Sequence, residues 1–368
     1  MRPLILISTV ALVFLSCVYP TMNGDPYTIE EQQSVWQYLN AFSIYQERLP
    51  AALGRHTPDD LFNMISDTLK GGRYTGYAGY GRGTIPGRVI DEPVVIEGSP
   101  STLYFQVKNF SDSTLITFTA FRSYMEGFRN LVIDLRGNGG GYVSVAEAMT
   151  CEFLPYGTPY IRYHQREYNH EKRSAKTITD TARAYNPNPR LAGKRIAILV
   201  DTGSASASEI LAAALLDNTD AVMIGSRTYG KGIGQVVVTR GGSGREVLII
   251  TSMEISGLSE RTQNYNRVGI QPDEVSPDIL EEAAAYASAV HQSGTRAHRE
   301  LAELYSAVKT LDADFTPPNP PVRLTKQTGA EPAGTMSIAA IQARFAETRE
   351  QTPVGAYIAV VDDPLNDE

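Results

Sequence analysis

Cysteine and positive charge are both scarce in this sequence. Only two cysteines, Cys17 and Cys151, occur among 368 residues, which excludes a disulfide-stabilised scaffold. Acidic residues outnumber basic ones by 41 to 33, and the resulting net charge of −8 argues against a nucleic-acid-binding protein, which would need a basic face. No group of histidine, cysteine and carboxylate residues has the spacing of metal ligands, so we expect neither a metal nor an organic cofactor.

The apolar run at the N-terminus is short. Residues 3–15 form an apolar stretch of about a dozen residues, too short to span a membrane, and they follow a basic residue as in a secretory signal. The stretch ends in FLSC, which looks like the lipobox of bacterial lipoproteins. We expect residues 1–17 to be a lipoprotein-type signal peptide and Cys17 to anchor the exported protein to the membrane of the cell envelope. The alternative is an ordinary signal cleaved later, although no A-x-A pattern follows.

Helical patterns flank the centre of the chain. We expect residues 18–100 to form an N-terminal helical cap and loop, and residues 279–368 a helical extension with a proline-rich linker and an acidic tail. Within these segments the predicted elements are a helix at 27–50, a helix from Thr57 to Lys70 capped by Thr57, a Gly/Tyr-rich loop at 73–88, helices at 279–310 and 336–349, and a strand at 357–361.

Strands alternate with helices in the centre of the chain, which predicts an α/β fold with parallel strands and helical crossovers. The run LVIDL at 131–135 is apolar throughout and should be buried on both faces. Cys151 lies in an apolar helical run, so we expect a buried structural cysteine. The predicted strands are 103–107, 131–135, 195–200 and 221–225, with a hairpin of 235–239 and 246–251, and the predicted helices are 114–128, 143–153 and 206–217.

Three segments rich in glycine or serine follow these strands, at the sheet edge where α/β proteins bind ligands. The first is Asp134–Gly141 (DLRGNGGG). Its glycines expose backbone N–H groups that suit a phosphate or an oxyanion. The alternative, purely structural interpretation is a tight turn. The run is neither G-x-G-x-x-G nor a P-loop, so a nucleotide site is disfavoured.

The second segment is Gly203–Glu209 (GSASASE), between a predicted strand and a helix. A serine here could act as a nucleophile, because the dipole of a helix N-terminus favours developing negative charge. It could equally cap the helix, since Ser206-x-x-Glu209 is a capping box. Composition does not choose among Ser204, Ser206 and Ser208, and the absence of G-x-S-x-G disfavours a lipase-type site.

The third segment is Gly230–Gln235 (GKGIGQ), after the strand at 221–225. Lys231 could contact a phosphate, form a surface charge, or serve as the base that a serine nucleophile needs. None of the five histidines lies in a loop of this kind, so a Ser–His–Asp triad has no visible base. Lysine can replace histidine if burial lowers its pKa enough to keep it neutral.

Taken together, these motifs resemble peptidase family S41, which includes the C-terminal processing proteases and the tricorn core. The resemblance covers about residues 100–278, and Lys231 lies 25 positions after Ser206, as in the family. Many relatives insert a PDZ domain ahead of the catalytic core, but residues 71–100 are too few for one. The matching motifs, in family order, are Asp134–Gly141, Ser206–Glu209, Thr228–Gln235 and Gly269–Asp273.

The resemblance implies a catalytic domain at 101–278 with a crotonase/ClpP-like core and a serine endopeptidase that cleaves proteins or peptides without a cofactor. It selects Ser206 as the nucleophile, Lys231 as the general base and Gln235 as the residue that orients the lysine. It also implies an oxyanion hole formed by the backbone amides of Gly140 and Ala207. Two alternatives stay open, a catalytically inactive binding protein on the same fold and an acyl-CoA hydratase-like enzyme that uses the same glycine amides.

Overall fold

The fold is described from a computed structural model of the chain. The residues it describes are 29–54, 56–65, 76–78, 93–96, 99–169, 172–240, 246–275, 335–336, 340 and 355–362. Within these ranges, no helix combines the length and the hydrophobicity needed to cross a membrane. The predicted signal peptide and the predicted helix at 279–310 lie outside the described residues. Of the predicted helix at 336–349, only Met336, which lies in a strand, and Ala340 are described.

Five helices are described, and local sequence signals account for where they begin. At the start of the second helix, the Thr57 N–H donates to the Asp60 carboxylate at 2.8 Å and the Asp60 N–H donates to Thr57 Oγ1 at 3.2 Å. Ser111 and Thr114 cap the third helix in the same reciprocal way. The helices are α1 (Ile29–Phe42), α2 (Pro58–Ile65), α3 (Asp112–Met125), α4 (Val143–Phe153) and α5 (Ala207–Asn218), with a 3₁₀ turn at Gln46–Arg48 after α1.

A first sheet, mostly parallel, forms the centre of the molecule. Its described strands run in the order β12-β9-β8-β4-β3-β2-β13, and only the β2–β3 pair is antiparallel among them. The apolar strands predicted at 131–135 and 195–200 lie side by side in the middle, as their continuous hydrophobicity requires. The strands are β2 (Val94–Ile96), β3 (Ser99–Gln106), β4 (Asn130–Asp134), β8 (Arg195–Val200), β9 (Val222–Gly225), β12 (Glu274–Val275) and β13 (Thr335–Met336).

A second sheet runs in the order β5-β14-β10-β11-β6-β7, with β1 paired to β11. The predicted hairpin is present as the antiparallel pair β10–β11, whereas β14 pairs in parallel with both β5 and β10. The strands are β1 (Gly76–Ala78), β5 (Gly140–Tyr142), β6 (Pro159–Asn169), β7 (Ser174–Arg183), β10 (Ile233–Arg240), β11 (Glu246–Ser256) and β14 (Gly355–Asp362).

Buried apolar side chains form two main cores. The larger core packs α3, α4 and α5 against the first sheet, and α5 is buried from Ala207 to Leu215. The smaller core packs α1 and α2 against Val236, Val238, Leu248 and Ile250 of the β10–β11 hairpin. The N-terminal helices α1 and α2 therefore pack on the second sheet, against the β10–β11 hairpin, which follows the lysine segment in the sequence.

The predicted α/β architecture is confirmed, with three differences in detail. The first helix is shorter than 27–50, because the chain turns after Phe42 and forms a separate 3₁₀ turn. Residues 76–78, which we expected to be loop, instead form β1, because their backbone pairs with Val247–Ile249 of β11. The long β6–β7 hairpin was not predicted at all, since its mixed polar sequence lacks clear apolar alternation.

Candidate active site

Three loops converge at the carboxyl end of the first sheet. They follow the neighbouring strands β4, β8 and β9, and they correspond to the three segments that the sequence singled out. Backbone hydrogen bonds join them directly, from the Ala205 N–H to the Asn138 carbonyl at 3.0 Å and from the Tyr229 N–H to the Ser204 carbonyl at 2.9 Å. Because adjacent parallel strands end at the same edge, the fold brings the glycine run, the serine loop and the lysine loop together.

Ser206 immediately precedes α5 in a strained conformation. Its backbone angles are φ 61° and ψ −114°, outside the regions that a residue with a side chain normally adopts. The residue is 1% exposed, and its hydroxyl has no hydrogen-bond partner among the residues that the structure describes. Strain of this kind persists only where the surroundings enforce it, and it is frequent at functional sites.

The two neighbouring serines differ from Ser206 in this respect. Ser204 Oγ donates to the Leu135 carbonyl at 2.8 Å and accepts from the Asp201 N–H. Ser208 Oγ donates to the Asn138 carbonyl at 2.9 Å. Both hydroxyls therefore tie the serine loop to the glycine run, while the Ser206 hydroxyl is left available.

Lys231 is buried at the end of the third loop. It is 1% exposed, and its Nζ donates to Gln235 Oε1 at 2.8 Å. The pairing of β10 with β11 changes register between Gly234 and Gln235, which is a β-bulge. The extra residue is Ser252 of β11, opposite the step from Gly234 to Gln235, so the irregularity lies at the residue whose side chain reaches the lysine.

A fully buried carboxylate links the serine loop to the lysine loop. Glu209, in the first turn of α5, accepts from the Ser206 N–H at 2.9 Å and the Lys231 N–H at 2.8 Å through Oε2. Its Oε1 accepts from the Gly230 N–H at 2.7 Å and the Thr228 hydroxyl at 2.5 Å. Burial raises the pKa of Glu209, and these four hydrogen bonds oppose that shift.

The glycine run is held by two further side chains. Asn138 Oδ1 accepts from the Gly140 N–H at 2.9 Å, and its Nδ2 donates to the Val107 carbonyl at 2.8 Å. Asp201 Oδ1 accepts from the Gly137 N–H at 2.8 Å and the Gly203 N–H at 2.9 Å, which joins the run to the serine loop. The Gly140 amide, predicted to stabilise an oxyanion, is therefore bonded to Asn138 in this structure.

Glycine is required at 141 because the backbone there has φ +144° and passes close to another chain segment. A Cβ at this position would lie 2.2 Å from the Phe110 carbonyl oxygen. The same contact carries hydrogen bonds in both directions, from the Phe110 N–H to the Gly140 carbonyl and from the Tyr142 N–H to the Phe110 carbonyl. The run is thus fixed on one side by the loop before α3.

The GIQPD motif supports the lysine loop from outside. The Thr228 N–H donates to the Ile270 carbonyl, and the Ile270 N–H donates to Thr228 Oγ1 at 2.7 Å. The Arg267 N–H donates to the Gly230 carbonyl at 2.7 Å, and Asn266 Oδ1 accepts from the Gly232 N–H at 3.1 Å. Both ends of the loop around Lys231 are therefore bonded to residues 266–270.

The sequence predicted Ser206, Lys231, Gln235, Gly140 and Ala207 as site residues, and the fold brings the three segments that contain them to one edge of the sheet. Cys151 is buried in α4, as expected of a structural cysteine. Three residues were missed as positioning groups, and each stood inside or beside a recognised segment: Asn138, Asp201 and Glu209. Asp201 directly follows a buried strand, which was the available signal for it.

Comparisons with known proteins agree with this geometry. Residues 101–276 match the model of "Peptidase family S41". A probable CtpA-like serine protease of Staphylococcus haemolyticus is 32% identical over 171 residues, which are 46% of this chain and 32% of that protein. The carboxy-terminal processing protease CtpB of Bacillus subtilis is 35% identical over 140 residues, 38% of this chain and 27% of that protein.

The matched region spans about a third or less of the length of these two relatives. Among solved structures, a photosystem II D1 C-terminal processing protease is 24% identical, with 54% of this chain and 51% of that chain covered and a TM-score of 0.40. The family match contains all four motifs, from the glycine run to the GIQPD segment. Residues 101–276 of this chain are therefore a domain of peptidase family S41.

Proposed function

We propose that this protein is a serine endopeptidase of the Ser–Lys type that hydrolyses protein substrates in the cell envelope. The observation that carries the proposal is the state of Ser206, whose backbone is strained and whose buried hydroxyl has no hydrogen-bond partner among the described residues. A hydroxyl kept out of the surrounding hydrogen-bond network is available to attack a substrate. The buried lysine on the adjoining loop supplies the base that such a hydroxyl needs.

In the proposed mechanism, neutral Lys231 removes the proton from Ser206 as Oγ forms a bond to the carbonyl carbon of the scissile peptide. The protonated Lys231 then gives this proton to the leaving amine as the C–N bond breaks. Water enters, loses a proton to Lys231, and releases the carboxylic acid while Ser206 regains its proton. Gln235 accepts from Lys231 Nζ and carries no charge, so it orients the amine without favouring its protonated form.

The oxyanion is proposed to bind at the amides of Gly140 and Ala207. The Ala207 N–H lies in the first turn of α5, where the helix dipole favours negative charge. The Gly140 N–H donates to Asn138 Oδ1, a neutral acceptor, at 2.9 Å. A developing oxyanion is a stronger acceptor than an amide oxygen and would compete for this donor as the reaction proceeds.

The test of this proposal is the Ser206→Ala variant assayed on casein and on fluorogenic peptides. It should fold with a thermal midpoint close to that of the wild type and have no turnover, because the Ser206 hydroxyl has no hydrogen-bond partner among the described residues. Ser204→Ala loses two structural hydrogen bonds and Ser208→Ala loses one, each worth about 1 kcal/mol, and both variants should retain turnover. A folded Ser206→Ala protein that still cleaves would remove the nucleophile assignment, and a wild type without turnover would favour an inactive binding protein.

We further propose that Cys17 is the acylated N-terminus of the mature protein and holds it at the outer side of a bacterial membrane. The support is the short apolar run followed by FLSC in the sequence. Lipoprotein processing supplies more than one acyl chain, which durable anchoring requires. The intact mass of detergent-extracted protein should show a diacyl or triacyl addition on Cys17. A mature N-terminus downstream of Cys17 on a protein found in the aqueous fraction would contradict this proposal.

A further inference from the structure

The Glu209 carboxylate has an unusual set of partners for a helix-capping residue. Each of its two oxygens accepts two hydrogen bonds, so all four acceptor sites are occupied. One oxygen, Oε2, is shared by the backbone N–H groups of Ser206 and Lys231. The backbone of the proposed nucleophile and the backbone of the proposed base are therefore joined through a single atom.

We propose that Glu209 is a positioning residue for the reaction: its ionised carboxylate sets the separation of Ser206 and Lys231. The inference rests on the proposed Ser–Lys function and deepens it, because it names the group that holds the two residues in register. Glu209 accepts hydrogen bonds from the backbone N–H groups of Ser206, Gly230 and Lys231 and from the Thr228 hydroxyl. It acts through these residues and takes no part in the proton transfers.

Capping of α5 accounts for only one of these four hydrogen bonds. Ser206 and Glu209 stand in the positions of a capping box, in which the Glu209 carboxylate accepts the Ser206 N–H. Three of the four donors that Glu209 accepts from lie in the lysine loop, at Thr228, Gly230 and Lys231, about twenty residues beyond the helix start. The carboxylate therefore holds two loops together, and its bond to Ser206 helps to maintain the strained backbone at φ 61°.

The negative charge of Glu209 is needed because four hydrogen-bond donors point at its two carboxylate oxygens. An ionised carboxylate accepts all four hydrogen bonds, whereas a protonated acid has an O–H of its own that would oppose one of the four donors. Among the described residues, the titratable side chain that interacts with Glu209 is buried Tyr265, whose pKa is raised by burial and by Glu209, whereas Lys231 is bonded to Glu209 through its backbone N–H. Protonation of Glu209 as the pH falls should therefore loosen the two loops and reduce activity.

The test compares Glu209→Gln with Glu147→Gln in the full-length protein. Glu147 is a matched control because burial also raises its pKa, and it lies on α4 outside the three loops. The measurements are kcat/KM against pH on a peptide substrate, the rate at which a fluorophosphonate probe labels Ser206, and the thermal midpoint. The probe reports the reactivity of Ser206 without depending on substrate binding.

Glu209→Gln should lower kcat/KM and the labelling rate on the order of a hundredfold, the size of effect expected from a small misplacement of reacting groups, and the acidic limb of the wild-type pH profile should disappear. Glu147→Gln should retain both the rate and the acidic limb. A folded Glu209→Gln protein with the wild-type rate and the wild-type acidic limb would overturn the inference.

If Glu209→Gln does not fold, Thr228→Val decides the question. This variant removes one donor and leaves the carboxylate ionisable. The Thr228 hydrogen bond lowers the pKa of Glu209, so its loss should move the acidic limb of kcat/KM to higher pH. An unmoved limb would refute the inference. If the wild type itself neither cleaves peptides nor reacts with the probe, the proposed function fails first, and that outcome is distinct from loss of the positioning role alone.

Discussion

The layer of loops at the active site and the β6–β7 hairpin use polar residues in opposite ways. In the loop layer, Glu209 and Asp201 each accept from donors in two loops, and Asn138 links the Gly140 N–H to the Val107 carbonyl. Glu209 and Asn138 are fully buried. In the hairpin, polar side chains pair singly across the strands and face solvent. The Lys176–Glu167 pair, for example, is 3.4 Å apart with side chains that are 72% and 42% exposed.

The difference predicts how each region responds to substitution. A buried acceptor that is removed leaves its donors unsatisfied, and each unsatisfied group costs about 1–3 kcal/mol. An exposed pair that is removed is replaced by water, and such pairs contribute about 0–1 kcal/mol. Removal of a shared buried acceptor in the loop layer should therefore lower stability and activity strongly, and substitutions in the hairpin should not.

The largest effect is expected for Lys231→Arg. The variant keeps a positive charge and can still donate to Gln235, but a guanidinium does not lose its proton in proteins and cannot act as a base. We expect no measurable kcat/KM at any pH between 5 and 10. Lys194→Arg is the control, because Lys194 is a partly buried lysine at the opposite, amino end of β8.

The kinetic comparison of these two arginine variants separates chemistry from charge. Lys194→Arg should retain activity, since its side chain donates only to backbone carbonyls near the end of α3. Turnover by Lys231→Arg would mean that position 231 supplies only a charge, and the Ser–Lys mechanism would then be wrong.

A smaller but still large effect is expected for Gly230→Ala. Gly230 has φ +91°, and a Cβ there would lie 2.6 Å from the Gly269 nitrogen, so the lysine loop would have to shift. Gly193→Ala is the control, because Gly193 has φ +74° with nothing within 4 Å of the added Cβ. Both variants incur the left-handed backbone cost of about 1–2 kcal/mol, but only Gly230→Ala adds a clash.

Urea unfolding and kcat/KM, measured on both glycine variants, should therefore give different patterns. Gly193→Ala should lose only stability, and Gly230→Ala should lose stability by about 1–3 kcal/mol more and also lose activity about tenfold or more. Equal changes in both variants would show that the contact with Gly269 does not position Lys231.

The same contrast explains which parts of the molecule could be predicted from the sequence. Strands β4 and β8 were predicted almost to the residue. A strand that is buried on both faces consists mainly of consecutive apolar residues, so its limits can be read from the sequence. The β6–β7 hairpin was missed because its strands are half exposed, and their polar residues give neither a helical nor a strand period. Strand β1 was missed because its pairing partner lies about 170 positions further along the chain.

The catalytic candidates of the site were predicted from the sequence, but the hydrogen bonds that connect them were not. Ser206 and Lys231 stood out because glycine and small residues surround them, and the family resemblance selected them. The two bonds that Glu209 Oε2 accepts, from Ser206 and Lys231, depend on how α5 is placed against the lysine loop. That placement is a property of the folded chain and cannot be read from the capping-box pattern. Three of the four donors to Glu209 therefore lie in a loop that the pattern did not indicate.

The smallest effect is expected for Lys176→Ala in the hairpin. Lys176 lies directly opposite Glu167 in the β6–β7 register, and both side chains are largely in water. We expect the free energy of unfolding to change by less than about 0.5 kcal/mol and kcat/KM to stay at the wild-type value. A double-mutant cycle with Glu167→Ala measures the pair itself, and its coupling should fall further in 1 M salt, because exposed charges are screened there. A coupling above about 1.5 kcal/mol would show that this exposed pair is not weak, and a loss of activity would show that the hairpin is energetically connected to the loop layer. Either result would mean that the contrast between the two regions does not hold.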